Sequence, residues 1–424
     1  MTTRLRDCLL AASLAVTAAA MAQTPAETVP GGTLDSLLTL ARERNPEFGA
    51  MRHEALAANE RVLPAGALMD PRLKVELQDI TKGGEQGATV LPSDVGATAY
   101  TLTQDLPWSG KRALKRDIAT LEADGAQRRA RQTWSELAAR IKAVFAQRYL
   151  IQGSQRLVGE SLDLMLQLEK VLQVRYATGL TAQQDITRIH VEHTAMRGEL
   201  VALANEWRQT QTRLNLLLGR PANAALAVPE GLRAVPAPSQ LEFAALSDRL
   251  RSANPQLFVE SARVRSAEKS RDLAYKSRYP DFTLGVSAMQ RQSAVKEWGL
   301  MLELNLPIRD GALQSQERES EAMLAAARAR QEAAANQALA DLADNLNALE
   351  AARQTEHLVV YSLLPQTDLT WRAALAGYEN GKGDFAALLD AQRQIRQARL
   401  NQLKAQVDAQ MRLADIERLI GEDL

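Results

Sequence analysis

Two periods of apolar positions run through this chain, in different places. Leu73, Val75 and Leu77 alternate with Lys74, Glu76 and Gln78, and Phe282, Leu284, Val286 and Ala288 alternate with Thr283, Gly285 and Ser287. Trp298, Leu300, Leu302, Leu304 and Leu306 alternate with Gly299, Met301, Glu303 and Asn305. Tyr100 to Leu106 follows the rule less cleanly, because Gln104 interrupts its apolar side. A period of two predicts strands with one face in an apolar medium and the other in a polar one.

Elsewhere the period is helical. No proline occurs from Gly110 to Tyr176, and Trp134, Leu137, Ile141, Val144, Ile151, Val158, Leu162, Met165, Leu168 and Leu172 form a coiled-coil seam. At about 1.5 Å per residue this predicts a helix roughly 100 Å long. Ile186, Ile189, Met196, Leu200, Leu203, Trp207, Leu214 and Leu217 continue the seam after a turn, for only about half that length. The helix expected from Leu34 to about Val62 is placed to supply the other half, stacked end to end. Leu339, Leu342, Leu346 and Leu349, then Leu400, Leu403 and Val407, repeat the arrangement. Pro365 lies inside the second long helix, where a lost backbone hydrogen bond predicts a kink; the first has Asp163 at that place.

The landmarks recur in order. Asn45-Pro46 returns as Asn254-Pro255, Pro71 as Pro280 and Leu106-Pro107 as Leu306-Pro307. Tyr176 and Gly179 return as Tyr378 and Gly381, and Gly219 as Gly421. This predicts an internal duplication, with a first repeat at 23–219 and a second at 241–424. Pro221, Pro229, Pro236 and Pro238 mark an irregular connector at 220–240. Within the repeats, Ile80 to Gly96 reads as a long polar surface loop and Gln290 to Lys296 as its shorter counterpart.

Composition narrows the class. The chain has 424 residues, with 51 basic and 51 acidic side chains and 4% aromatics. The even balance gives no reason to expect a nucleic-acid partner. Arg4 and Arg6, the apolar run Leu9 to Ala20 and the small-x-small site Ala20-Met21-Ala22 read as a secretory signal over 1–22, with the mature chain starting at Gln23. Cys8, the one cysteine, precedes the apolar run, so it is not a lipid-anchor site. No later window offers about 18 continuous apolar residues, so a membrane position requires a β-barrel. A membrane barrel needs at least about eight strands, and one chain supplies four convincing ones. Three chains would supply about twelve. A soluble half-buried sheet is the other reading of the same alternation.

The duplication, the strand pairs and the segments "RYATGLTAQQD" and "GYENGKGDFAALLDAQRQ" resemble the TolC-like outer-membrane factor family over essentially the whole mature chain. The length and the unlipidated N-terminus look more like its heavy-metal-resistance branch (cobalt, zinc, cadmium). The resemblance implies an α+β, mostly α fold: a homotrimeric duct with a twelve-stranded barrel in outer-membrane lipid and a periplasmic coiled-coil tube. It also implies a periplasmic adaptor and an inner-membrane RND-type pump as partners, passive conduction of heavy-metal cations, and no bond chemistry or cofactor. It places a periplasmic gate at the Gly turns, with Asp185 hydrogen-bonded to Tyr378 and a pore-facing acid at Asp390. The family's other acidic position is Ala387 here, and its basic latch position is Gly383.

The gate set is therefore Tyr176, Gly179, Asp185, Tyr378, Gly381, Asp384 and Asp390. Plainer readings exist: Gly179 and Gly381 as turn glycines, Asp185 and Asp384 as acids at helix N-termini. His190 and His193 share a helix face near Asp185, a spacing able to hold a divalent ion with one more ligand, or simply a solvated helix surface. No nucleophile elbow, phosphate loop or HExxH occurs. A coiled-coil periplasmic scaffold and a protein-secretion duct are the alternative functions.

Overall fold

The computed structural model describes residues 29–81, 87–292, 294–308 and 310–424. The expected signal peptide and residues 82–86 of the first strand loop lie outside the described residues. The chain runs α1 (Leu34–Arg44), α2 (Pro46–Glu60), α3 (Val62–Gly66), β1 (Arg72–Gln78), β2 (Ala97–Leu106), α4 (Lys111–Ala177) and α5 (Gln183–Leu217). The order then repeats: α6 (Phe243–Ala253), α7 (Pro255–Lys276), β3 (Asp281–Arg291), β4 (Ala294–Asn305), α8 (Asp310–Leu358), α9 (Leu364–Glu379) and α10 (Phe385–Ile420).

The seam residues do what their spacing predicts. Leu137, Ile141, Val158, Met165 and Leu172 are buried in α4, and Ile189, Met196 and Leu214 in α5. The 67 residues of α4 make one unbroken rod about 100 Å long. A rod has no single core, so burial is divided along it. Leu37 and Ala41 of α1 pack on Leu137, Ile141 and Leu214. Leu246 and Leu250 of α6 pack on Leu342, Leu349 and Ile416 in the corresponding cluster of the second repeat. A third cluster surrounds the far helix ends. The seam also buries the Arg148 side chain: its guanidinium lies 3.8 Å from the Trp207 ring, and burial lowers its pKa to about 10, so it stays charged at neutral pH.

The expected Leu34–Val62 helix is two helices, broken at Asn45-Pro46, and the break has a reason. The Asn45 amide donates to the carbonyl of Leu217, the last residue of α5, at 2.8 Å. Its Oδ1 accepts from Phe48 N at 2.8 Å and so caps α2. One side chain thereby joins the end of α5 to the start of α2. Asn254 does the same between Leu419 O (2.7 Å) and Leu257 N (2.9 Å). Gly219, at φ +65°, completes the first joint; a Cβ there would meet Arg44 O at 2.5 Å. The end-to-end stacking expected from helix lengths is built from these two joints.

Pro365 falls in the first turn of α9, directly after a π-helical turn at Val359–Leu363. The wider turn absorbs the missing donor of the proline, so the second long helix is interrupted where α4 is not. The repeats are also cross-linked. Lys142 Nζ of α4 reaches Glu417 Oε2 of α10 at 2.8 Å, and Arg233 of the connector holds the same carboxylate at 2.7 and 2.6 Å.

The strands form one four-stranded antiparallel sheet in the order β1-β2-β3-β4, the two strand pairs joined through β2 and β3. The second strand loop is tighter than the expected Gln290–Lys296 segment, because β3 runs to Arg291 and β4 starts at Ala294. The register places Leu73 opposite Leu102, Leu102 opposite Val286, and Val286 opposite Leu300. The next rows are Val75, Tyr100, Ala288 and Trp298, and then Gln104, Leu284 and Leu302. Directly paired residues share a face, so the apolar positions of all four strands merge into one stripe. Trp298 is 76% exposed and Leu300 84% exposed. Gln104, the odd residue on that side, donates to Met69 O at 2.7 Å.

Asn45→Ala and Asn254→Ala are each expected to lower stability by about 1–2 kcal/mol through the lost cap. Thermal loss of helical circular dichroism in detergent measures this. The two effects should add, since the joints share no partner.

Candidate functional site

The far ends of the helices meet in two turns. Leu180 N donates to Arg175 O at 2.8 Å across Gly179, at φ +76°, and Lys382 N donates to Gly377 O at 2.9 Å across Gly381, at φ +69°. Both follow the helix-ending pattern in which a left-handed residue closes the last turn, a conformation glycine adopts without strain.

Arg175, not singled out by sequence reasoning, ties the two turns together. Its Nη1 donates to Tyr378 O at 2.9 Å and its Nη2 to Glu379 O at 3.0 Å. The same guanidinium lies 4.6 Å from the Tyr378 ring centroid. Arg175 thus satisfies carbonyls at the C-terminal end of α9, where a cation also meets the negative end of the helix dipole. Arg175 lies two residues before Ala177-Thr178-Gly179, a proximity to the turn that does not by itself reveal the carbonyls it meets.

The expected hydrogen bond between Asp185 and Tyr378 is not made. Tyr378 is buried, its hydroxyl has no hydrogen-bond partner among the described residues, and its ring packs edge-on to Phe385 at 5.8 Å. The ring belongs to the apolar cluster with Leu388, Leu389 and Ile189, which holds it away from a carboxylate. Asp185 sits instead in the first turn of α5, 3.8 Å from Arg188. Burial raises its pKa above the ordinary value, the Asp384 carboxylate raises it further, and Arg188 opposes both. Asp384 caps α10, accepting from Ala386 N at 3.2 Å. Tyr176 is exposed. Asp390 is exposed too, 3.8 Å from Arg393.

Gly383 explains the missing basic latch in steric terms. A Cβ at this position would lie 2.9 Å from Gly377 C and Tyr378 N, so the turn closes on backbone and leaves no room for a side chain. Cross-linking between hairpins is carried farther from the turns. Buried Glu192 of α5 accepts from Arg393 Nε at 3.1 Å, and Arg396 Nη1 donates to Glu199 at 2.7 Å. The histidine pair lies on the same hairpin. Its third neighbour is Glu169 of α4, not Asp185: His193 Nδ1 is 3.2 Å from Glu169 Oε2 and His190 Nε2 is 3.7 Å from Glu169 Oε1.

This rod, with a sheet at one end and glycine turns at the other, matches a known family. The sequence model of the outer membrane efflux proteins matches residues 37–220 and 246–422. The chain belongs to the outer membrane efflux protein family. It is 24% identical over 411 residues to the cobalt-zinc-cadmium resistance protein CzcC of Cupriavidus metallidurans, a match covering 94% of this chain and 92% of that one. It is 24% identical to the pyoverdine export outer membrane protein OpmQ of Pseudomonas putida, covering 88% and 82%. The crystal structure of CusC superposes with a TM-score of 0.80 at 15% identity, covering 93% of each chain. The fold is therefore TolC-like, α+β and mostly α, with a two-fold internal repeat. The efflux protein resides in the outer membrane and extends into the periplasm, and its family and fold are those of channel proteins. Among the described residues no helix is long and apolar enough to cross a membrane.

Arg175→Ala is expected to speed amide hydrogen exchange in both turns, while Tyr378→Phe, which removes a hydroxyl with no partner, should leave it unchanged or slower. The raised pKa of Asp185 fixes the sign of a pH effect. Ionised Asp185 disfavours the folded turn, and this opposition is lost as pH falls through the raised value. Asp185→Asn should therefore slow exchange at the turn at neutral pH and make no difference below the ordinary aspartate range.

Proposed function

We propose that three copies of this efflux protein assemble into one passive duct, which carries divalent heavy-metal cations outward from an inner-membrane RND-type pump and a periplasmic adaptor. The observation that carries the reading is the apolar stripe across all four strands. Leu73, Leu102, Val286 and Leu300 form one of its rows, and every one of them is exposed in the single chain. A stripe this continuous is costly in water and suited to lipid. Among the described residues the edges of β1 and β4 are unpaired within the chain, and unpaired edges cannot persist in hydrocarbon. Pairing β1 of one copy with β4 of the next satisfies both edges, and three copies close a barrel of about twelve strands. A periplasmic scaffold would not need this stripe.

The metal cargo rests on the similarity to CzcC, whose match spans more of this chain than that of OpmQ. The gate is assigned to the glycine turns: Tyr176, Gly179, Asp185, Tyr378, Gly381, Asp384 and Asp390, with Arg175 as the tie. In this reading Asp185 and Asp390 offer charge at the narrow end, and opening requires the Arg175 contacts to Tyr378 and Glu379 to loosen.

Mass measurement of the detergent-solubilised protein should give a trimer. Leu300→Arg places a charge in the lipid-facing stripe and should cost about 2–4 kcal/mol if the position lies near the bilayer midplane, reducing the folded trimer recovered from membranes. A water-soluble monomer would overturn the proposal. For the cargo, a host lacking the channel should become sensitive to cobalt, zinc and cadmium and be rescued by the intact gene; unchanged tolerance would remove the metal assignment and leave the duct.

A further inference from the structure

We propose that Glu169, His190 and His193 form a site for one divalent transition-metal ion of the zinc class, clipping α4 to α5 above the first glycine turn. One ligand atom from each residue lies within 4.8 Å of the other two. Bonds of about 2.0–2.1 Å to nitrogen and oxygen in tetrahedral geometry set ligand atoms about 3.3 Å apart. The two observed separations, 3.2 Å and 3.7 Å, bracket that spacing. These two separations run to different oxygens of the carboxylate, and all three ligand atoms lie within 4.8 Å of one another, so rotation of the three side chains is the adjustment that closes the site.

The alternative is an ordinary hydrogen bond between His193 and Glu169. It accounts for one contact and leaves one fact aside. Among the described residues His193 Nε2 is buried and has no hydrogen-bond partner, so Nδ1 is the polar side of that ring on either reading. His190 independently turns its Nε2 toward the second oxygen of the same carboxylate. Two imidazoles on separate turns of α5 converge on one acid of α4. With His193 buried, Glu169 half-buried and His190 exposed, the fourth position faces water. Three protein ligands and an open position form a set that zinc accepts. Two imidazoles favour zinc, nickel or copper over magnesium or calcium, which take oxygen ligands.

Placement gives the site its consequence. Glu169 precedes Gly179 by about ten residues, so the ion would sit roughly 15 Å from the turn. Glu192, on the adjacent position of α5, is held by Arg393 of α10. An ion here would stiffen the α4–α5 hairpin where it is coupled to the second hairpin. The site does not depend on the cargo reading, since a duct for another solute would keep the same three ligands.

The test uses the full-length detergent-solubilised protein and three chains: unaltered, His190→Ala and Glu169→Gln. His190 is exposed and Glu169→Gln keeps the side-chain shape, so both should fold, as oligomer mass and circular dichroism will show. Calorimetry with zinc chloride should give one ion per protomer, not displaced by excess magnesium. Loss of a mere outer-sphere partner costs about 10–100-fold in affinity, so each substitution of a ligand should weaken binding at least about tenfold. Cobalt(II) should give the absorption of a tetrahedral N/O site in the unaltered chain only. Zinc should slow amide exchange around residues 165–195 in that chain alone. Absence of zinc uptake, or equal affinity in all three folded chains, would overturn the proposal.

Discussion

Everything in the rod depends on ending one helix and beginning another without leaving backbone groups unpaired. A helix end buried in a tube wall exposes carbonyls that cannot find water. Asn45 answers this with one side chain, its amide on the last carbonyl of α5 and its oxygen on the N–H of Phe48, the third residue of α2. Asn254 repeats the arrangement between α10 and α7. Proline follows each asparagine because the first helical position has no use for an N–H. The glycines at 219 and 421 are fixed by the same joints, since side chains there would strike the carbonyls of Arg44 and Ala253. With the joints in place, two short helices serve as one long one.

The sheet imposes a different constraint at the other end. Its apolar residues do not face a core; they face outward as a continuous stripe. In water such a surface would drive aggregation. In lipid it is the condition for staying inserted, provided every edge finds a partner. On the proposed reading, membrane insertion and oligomerisation are two consequences of one pattern, and the sheet does not do the first without the second.

The turns show how a shared position can carry different chemistry. Where the resemblance implied a phenol-to-carboxylate bond, the chain buries the Tyr378 ring and ties the turns through Arg175 to carbonyls. Gly383 belongs to the same solution, because the closer backbone approach it permits excludes a basic side chain. A guanidinium on two carbonyls and a ring face makes several modest contacts at once, which under the proposed gate assignment suits a tie that holds and still releases.

Local pattern was enough for much of this. Period-two and heptad spacing fixed the four strands and both long helices, and the recurring Asn-Pro and Gly landmarks revealed the duplication, because these signals are read from near neighbours along the chain. The Asn45 break was visible as a landmark but not as a joint, since its partner carbonyl lies 172 residues away. Pro365 was visible too, but not the π-helical turn that absorbs it. The Arg175 tie, the buried Tyr378 hydroxyl and the choice of Glu169 over Asp185 as neighbour of the histidines belong to the tertiary structure alone. Each depends on which faces of two distant helices meet. That is set by packing over the whole rod, and residue spacing within one segment carries no record of it.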